Sequence, residues 1–138
     1  MNFLAHLYLS WESEQIMVGN FIADFVKGKE AESYQKDISL GILLHREIDS
    51  FTDKHRQFAE SKRRLWLRHR HYSSVIVDIF YDHFLAKNWD EYSKTSLDKF
   101  AQHAYAAIQL FEKILPPRAK RILPYMIANN WLVNYQKL

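Results

Sequence analysis

The sequence predicts a single all-α domain, a helical bundle, and three observations predict it. Glycine and proline occur only three times each in 138 residues, too seldom to punctuate a chain of hairpins. No stretch sustains the alternation of a half-buried strand. Apolar residues instead recur at three- and four-residue intervals through most of the chain. A chain of this length buries roughly two-thirds of its unfolded surface, and 48% hydrophobic residues with 15% aromatics provide a core. No linker, repeat or low-complexity stretch divides residues 1–138.

The elements follow in order. Residues 2–9, "NFLAHLYL", form a first apolar segment. In "SWESEQ", Ser10 or Ser13 caps a second helix running through "QIMVGNFIADFVKG" towards Gly28. "SYQKDISLGILLHREIDSFTDKH" spaces Ile38, Ile42, Leu44, Ile48 and Phe51 as one helical face, with Ser33 as its cap. Residues 59–89 hold a basic half and an apolar half, with a break near Tyr72 to Ser74. "TSLDKFAQHAYAAIQLFEKIL" opens on Thr95-x-x-Asp98, a capping-box pattern, and stops at Pro116 and Pro117. The tail turns briefly and enters a last helix at Pro124, since proline suits the first helical position.

Composition narrows the function classes. Without cysteine there is no disulfide and no thiolate zinc site. No apolar run approaches the roughly 20 residues of a spanning helix, and the N-terminus has no secretory pattern. A soluble cytoplasmic protein is expected. Net charge is +3, and basic residues concentrate in "KHRQFAESKRRLWLRHRH", residues 54–71, which suits an anionic partner or a solvated helix face.

Polar groups inside apolar sequence carry the chemistry. "VDIFYDHFLAKNW" sets Asp78, Asp82 and His83 among Val, Ile, Phe and Leu, where ionised carboxylates are costly unless paired or bound to a cation. His45 and Asp49, Asp49 and Asp53, and Asp78 and Asp82 are each four residues apart, and therefore stack on one helical face. Asn20 and Asp24 repeat the spacing, and His6 lies in "FLAHLYL". Each group has a plainer reading: His6 as a core histidine, His45 with Asp49 as a hydrogen-bonded pair, Asn20 with Asp24 as a turn cap. Two acids in one apolar helix repel unless something positive lies between them. Helices presenting such groups inward build a metal site, and the histidine–carboxylate mixture favours Mn²⁺ or Mg²⁺. Such an ion supports phosphoester hydrolysis without a nucleophilic serine or cysteine.

Five motifs in register add to this reading: "MNFLAHLYLS", "GNFIADFVKG", "GILLHREIDSFTD", "DIFYDHFLAKNW" and "WLVNY". Over residues 1–135 the chain resembles the acyl carrier protein phosphodiesterases, an all-helical family distantly like the HD-type metal phosphohydrolases. The resemblance implies hydrolysis of the phosphodiester joining 4'-phosphopantetheine to a serine of holo-acyl carrier protein, an acidic protein substrate, with a divalent cation, preferably Mn²⁺. Asp24 matches an aspartate regarded as essential in the family and is expected as ligand or general base. His45, Asp49, Asp78 and Asp82 are expected to hold the ion, His6 less centrally, with His83 as ligand or proton donor to the leaving oxygen. Lys62, Arg63, Arg64, Arg68 and Arg70 are expected to steer the acidic partner. Family members usually continue with further helices beyond the "WLVNY" motif. The rival readings are an HD-type hydrolase of a nucleotide or other small phosphoester, and a helical nucleic-acid-binding module using the basic segment with Trp66 and Tyr72.

Overall fold

A computed structural model describes residues 2–10 and 13–137. Eight α-helices run through it: α1 (Phe3–Tyr8), α2 (Glu14–Ile22), α3 (Lys36–Lys54), α4 (Arg56–His69), α5 (Ser73–Lys87), α6 (Leu97–Leu110), α7 (Pro117–Ala128) and α8 (Trp131–Asn134). Tight 3₁₀ turns connect several of them, and no strand occurs among the described residues. The expected all-α class is therefore the observed one. Among the described residues no helix is long and apolar enough to cross a membrane.

The first helix needs outside help. Six residues are too few to sustain a helix alone, because nucleation costs more than so few bonds return. Asn2 Oδ1 accepts from the Phe3 amide at 3.0 Å. Asp82, reaching across from α5, accepts from Leu4 N at 2.8 Å and Ala5 N at 3.2 Å. Three otherwise orphaned N–H groups are thus satisfied. With its N-terminus held, α1 buries Leu4, Ala5, His6 and Leu7.

Helices α2 and α3 form the closest pairing and the centre of the core. Met17, Val18, Phe21 and Ile22 of α2 meet Ile38 and Ile42 of α3, all buried. Gly19 and Gly41 face each other at the crossing. A methyl group on either would lie within 2.2 Å of a carbonyl oxygen of the opposite helix, so only glycine permits this approach. Ala104, Ile108, Met126 and Leu132 extend the core into α6, α7 and α8.

Several boundaries differ from expectation, each for a local reason. For α2 one of the two expected caps is the observed one, Ser13, which accepts from Ile16 N at 3.3 Å. Ser33 donates to the Glu30 carbonyl, and α3 starts after Gln35 without a side-chain cap. Ser96 rather than Thr95 caps α6, accepting from Lys99 N. The break between α4 and α5 falls at Arg70, whose φ of 48° ends α4. Pro117, not Pro124, is the first residue of α7. Pro116 is held extended by the proline after it, and Pro124 lies inside the helix at the cost of one backbone bond.

Candidate metal centre

Three elements bring four of the expected polar groups together. α1 supplies His6, the 3₁₀ turn after α2 (Ala23–Phe25) supplies Asp24, and α3 supplies His45 and Asp49 one turn apart. The His6 and His45 rings stack, with centroids 3.7 Å apart and planes inclined by 10°. His6 Nε2 donates to Asp49 Oδ1 at 3.0 Å. His45 Nε2 lies 3.1 Å from Asp24 Oδ1 and 3.2 Å from Asp49 Oδ2. The imidazoles are nearly sealed, at 3% and 7% side-chain exposure, whereas Asp49 and Asp24 open to solvent at 38% and 67%. The carboxylates thus face water with two buried rings behind them.

Asn20 of α2 fixes the orientation of His45. Its backbone oxygen and its Oδ1 both accept from His45 Nδ1, at 2.9 and 3.0 Å. Its amide nitrogen donates to the His6 carbonyl and to Ser10 Oγ, each at 2.8 Å. Ser10 Oγ also donates to the His6 carbonyl. Asn20 therefore braces both histidines, and with Nδ1–H committed to it, His45 presents Nε2 to the carboxylates. The reading of Asn20 with Asp24 as a turn cap missed this. An asparagine in an apolar helix one residue after a close-packing glycine was the available signal.

Without an ion, one imidazolium faces two carboxylates and the group keeps a net negative charge. Burial lowers the affinity of His45 for its proton, but hydrogen bonds and attraction from Asp24 and Asp49 outweigh it and push its pKa up to about 9. His45 is then an imidazolium donating from both nitrogens. Burial dominates at His6 and lowers its pKa, so its Nδ1, buried without a partner, is the unprotonated nitrogen. Asp24 is held below its usual range first by its hydrogen bond to His45. Burial raises Asp49, but bonds to His45 and His6 more than reverse this and leave it well below the carboxylate range.

A divalent cation fits this constellation. Candidate donor atoms of His6, His45 and Asp49 lie within 4.8 Å of one another, close to the span two ligands about 2.1 Å from one ion produce. Two imidazoles with carboxylate suit a borderline ion. The proton on His45 occupies the place of that positive charge.

The other expected ligands lie differently. Asp82 is fully buried and holds the α1 N-terminus; burial pushes its pKa up to about 7 despite those backbone bonds. Both of its oxygens, expected on the ion, accept from the α1 backbone. His83 donates from Nδ1 to the Tyr135 carbonyl at 2.7 Å, tying α5 to the chain after α8, and no hydrogen bond joins it to the group among the described residues. Asp78, one turn before Asp82, is half-buried with Oδ1 enclosed and is not one of the three grouped residues. Asp53 lies exposed in the last turn of α3. Lys62, Arg63, Arg64 and Arg68 lie along α4, with Arg70 at its end.

These shifts set a pH dependence for the metal-free protein. The His45 pKa rises from 6.5 to about 9 on folding, so its contribution is complete below pH 6.5 and is lost as pH climbs to 9. The loss is on the order of 3 kcal/mol. Asp82, raised from 3.8 to about 7, adds a fall of the same sign between those values. Asp24 and Asp49, both lowered, act oppositely and cost stability only as pH drops below 3.8. Melting curves in chelator should show Tm falling from pH 6.5 to 9, with His45→Gln flattening that limb. A wild-type Tm constant over the window would contradict the imidazolium.

The family profile described as "Acyl carrier protein phosphodiesterase" matches residues 1–138. A protein of that name from Photorhabdus laumondii subsp. laumondii is 34% identical over 139 residues, spanning all of this chain and 70% of the relative. Those from Salmonella agona and Serratia proteamaculans are 36% and 34% identical, each over all of this chain and 72% of the relative. No solved structure matches.

Proposed function

Because this chain belongs to the acyl carrier protein phosphodiesterase family, we propose that its His–Asp group hydrolyses the bond between 4'-phosphopantetheine and a serine of holo-acyl carrier protein. The observation that carries this is the set of three donor atoms, from His6, His45 and Asp49, within 4.8 Å of one another. These residues would hold the cation, Mn²⁺ in our reading, with Asn20 bracing the His45 imidazole and the His6 backbone from behind. When bound, such an ion supplies Lewis acidity towards a phosphoryl oxygen and activation of water.

Asp24 does the proton work. Its carboxylate is 67% exposed and lies 3.1 Å from His45 Nε2, at the rim of the place the cation would take, so it can accept the proton of the attacking water. The phosphorus–oxygen bond to serine then breaks, and the proton on Asp24 is available to the departing oxygen. The products are free phosphopantetheine and the apo-protein. We assign His83 to anchoring the C-terminal segment. A distant kinship with HD-type hydrolases is part of the same reading, supported by histidine and aspartate presented from separate helices.

Mass spectrometry of holo-acyl carrier protein tests this. With Mn²⁺ the prosthetic group should be lost, and with chelator it should stay. Intact holo-protein in Mn²⁺, beside hydrolysis of a nucleotide, would move the assignment to a small phosphoester.

A further inference from the structure

Resting on that reading, we propose that the outward face of α4, with the cleft it forms against the last turn of α3, is where the acidic protein substrate docks. The scissile bond lies directly on the serine side chain, so the partner's own surface must reach the rim of the metal group. The docking face must therefore border the site. α4 does. A cleft of about 580 Å³ is lined by Asp53 of α3 and by Ala59, Lys62, Arg63, Trp66 and Leu67 of α4. Asp53 is one helical turn past Asp49, about 6 Å along the axis.

The chemistry of α4 is that of an interface. It carries Arg56, Lys62, Arg63, Arg64 and Arg68 against a single acid, Glu60. Glu60 is shared between Arg63 at 2.9 Å and Arg64 at 3.5 Å, and Lys62 and Arg68 have no carboxylate partner among the described residues. Phe58 is the only residue the helix buries fully, while Trp66 and Leu67 stay 41% and 83% exposed. An exposed aromatic and a leucine lining one cleft with Lys62 and Arg63, on a helix that also carries Arg64 and Arg68, match a protein contact. The matching partner presents clustered carboxylates beside its modified serine. A second copy is disfavoured, because this cationic face repels itself.

The test compares wild type with the Arg64→Gln/Arg68→Gln double variant. The variant's KM for holo-acyl carrier protein should rise about tenfold with kcat within twofold, and the wild-type rise of KM with salt should largely vanish. On a short uncharged peptide carrying phosphopantetheinyl-serine the two proteins should have equal kcat/KM. An unchanged KM on the protein substrate, or an equal loss on the peptide, overturns the proposal. Calorimetric titration with apo-acyl carrier protein needs no turnover. About tenfold weaker binding by the variant supports docking even if wild type cleaves nothing, in which case only the functional reading falls. Equal binding overturns docking whatever the activity. So does tighter wild-type binding to a single-stranded oligonucleotide than to the carrier protein, or a wild-type dimer that the variant dissociates.

Discussion

Asp49→Asn is expected to lower Mn²⁺-dependent turnover at least a hundredfold and to abolish the rise in Tm that Mn²⁺ produces in wild type. The reason is geometric. One oxygen of Asp49 meets His6 Nε2 and the other meets His45 Nε2, so this carboxylate couples the two imidazoles of the group. Asparagine keeps the volume and one acceptor but removes the charge that an ion requires. Losing even an outer partner of a metal ligand costs about 10–100-fold, and a direct ligand should cost no less. The fold should survive, because Asp49 is half-exposed and lies outside the packed core. Two measurements separate loss of the site from loss of the fold. Helical content by circular dichroism should stay at the wild-type value while Mn²⁺ no longer shifts the melt, as a ligand of the native state otherwise must. A variant still stabilised by Mn²⁺ and still active would remove Asp49 from the centre.

The centre was partly legible in the sequence because its parts announce themselves locally. His45 and Asp49 share a helical face at four-residue spacing, and Asp24 interrupts an apolar run. His6 was ranked low because a single histidine in an apolar helix looks like a core residue, and its partner lies 43 residues away. Asp82 bore the same signature as Asp49, an acid in apolar helical sequence, yet it satisfies backbone amides 77 and 78 residues away. A backbone N–H has no side-chain identity, so spacing cannot tell a carboxylate that meets buried imidazoles from one that caps a distant helix. Boundaries failed for a related reason. Ser10, Ser13, Ser33, Thr95 and Ser96 all have capping chemistry, and tertiary geometry selected Ser13 and Ser96. Ser10 was taken by Asn20 and the His6 carbonyl.

The pairing of α2 with α3 links the fold to the chemistry, so Gly19→Ala should damage both. Its new methyl group would lie 2.0 Å from the Ile38 carbonyl oxygen and 2.9 Å from the Gly41 α-carbon. Both obstacles are backbone, and no rotamer relieves them. The helices must move apart, loosening Val18, Phe21, Ile38 and Ile42, which are buried in one cluster. Alanine's higher helix propensity returns about 1 kcal/mol, whereas overpacking a core costs about 1–3 kcal/mol and sometimes more. With backbone on both sides, the upper end applies, and a net loss of about 2 kcal/mol corresponds to a Tm fall of roughly 5–10 °C. Asn20 adjoins Gly19, and His45 lies one turn after Gly41, so separation also stretches the 2.9 and 3.0 Å bonds from His45 Nδ1 to Asn20. Mn²⁺ should then stabilise the variant less than wild type even at temperatures where both are folded. Gly28→Ala provides the contrast. Gly28 has φ of 51° and nothing within 4 Å of an added methyl group, so its cost is conformational, about 1 kcal/mol, with the Mn²⁺ response intact. Equal melting temperatures and equal Mn²⁺ responses for Gly19→Ala and wild type would mean that the α2–α3 contact does not hold the centre together.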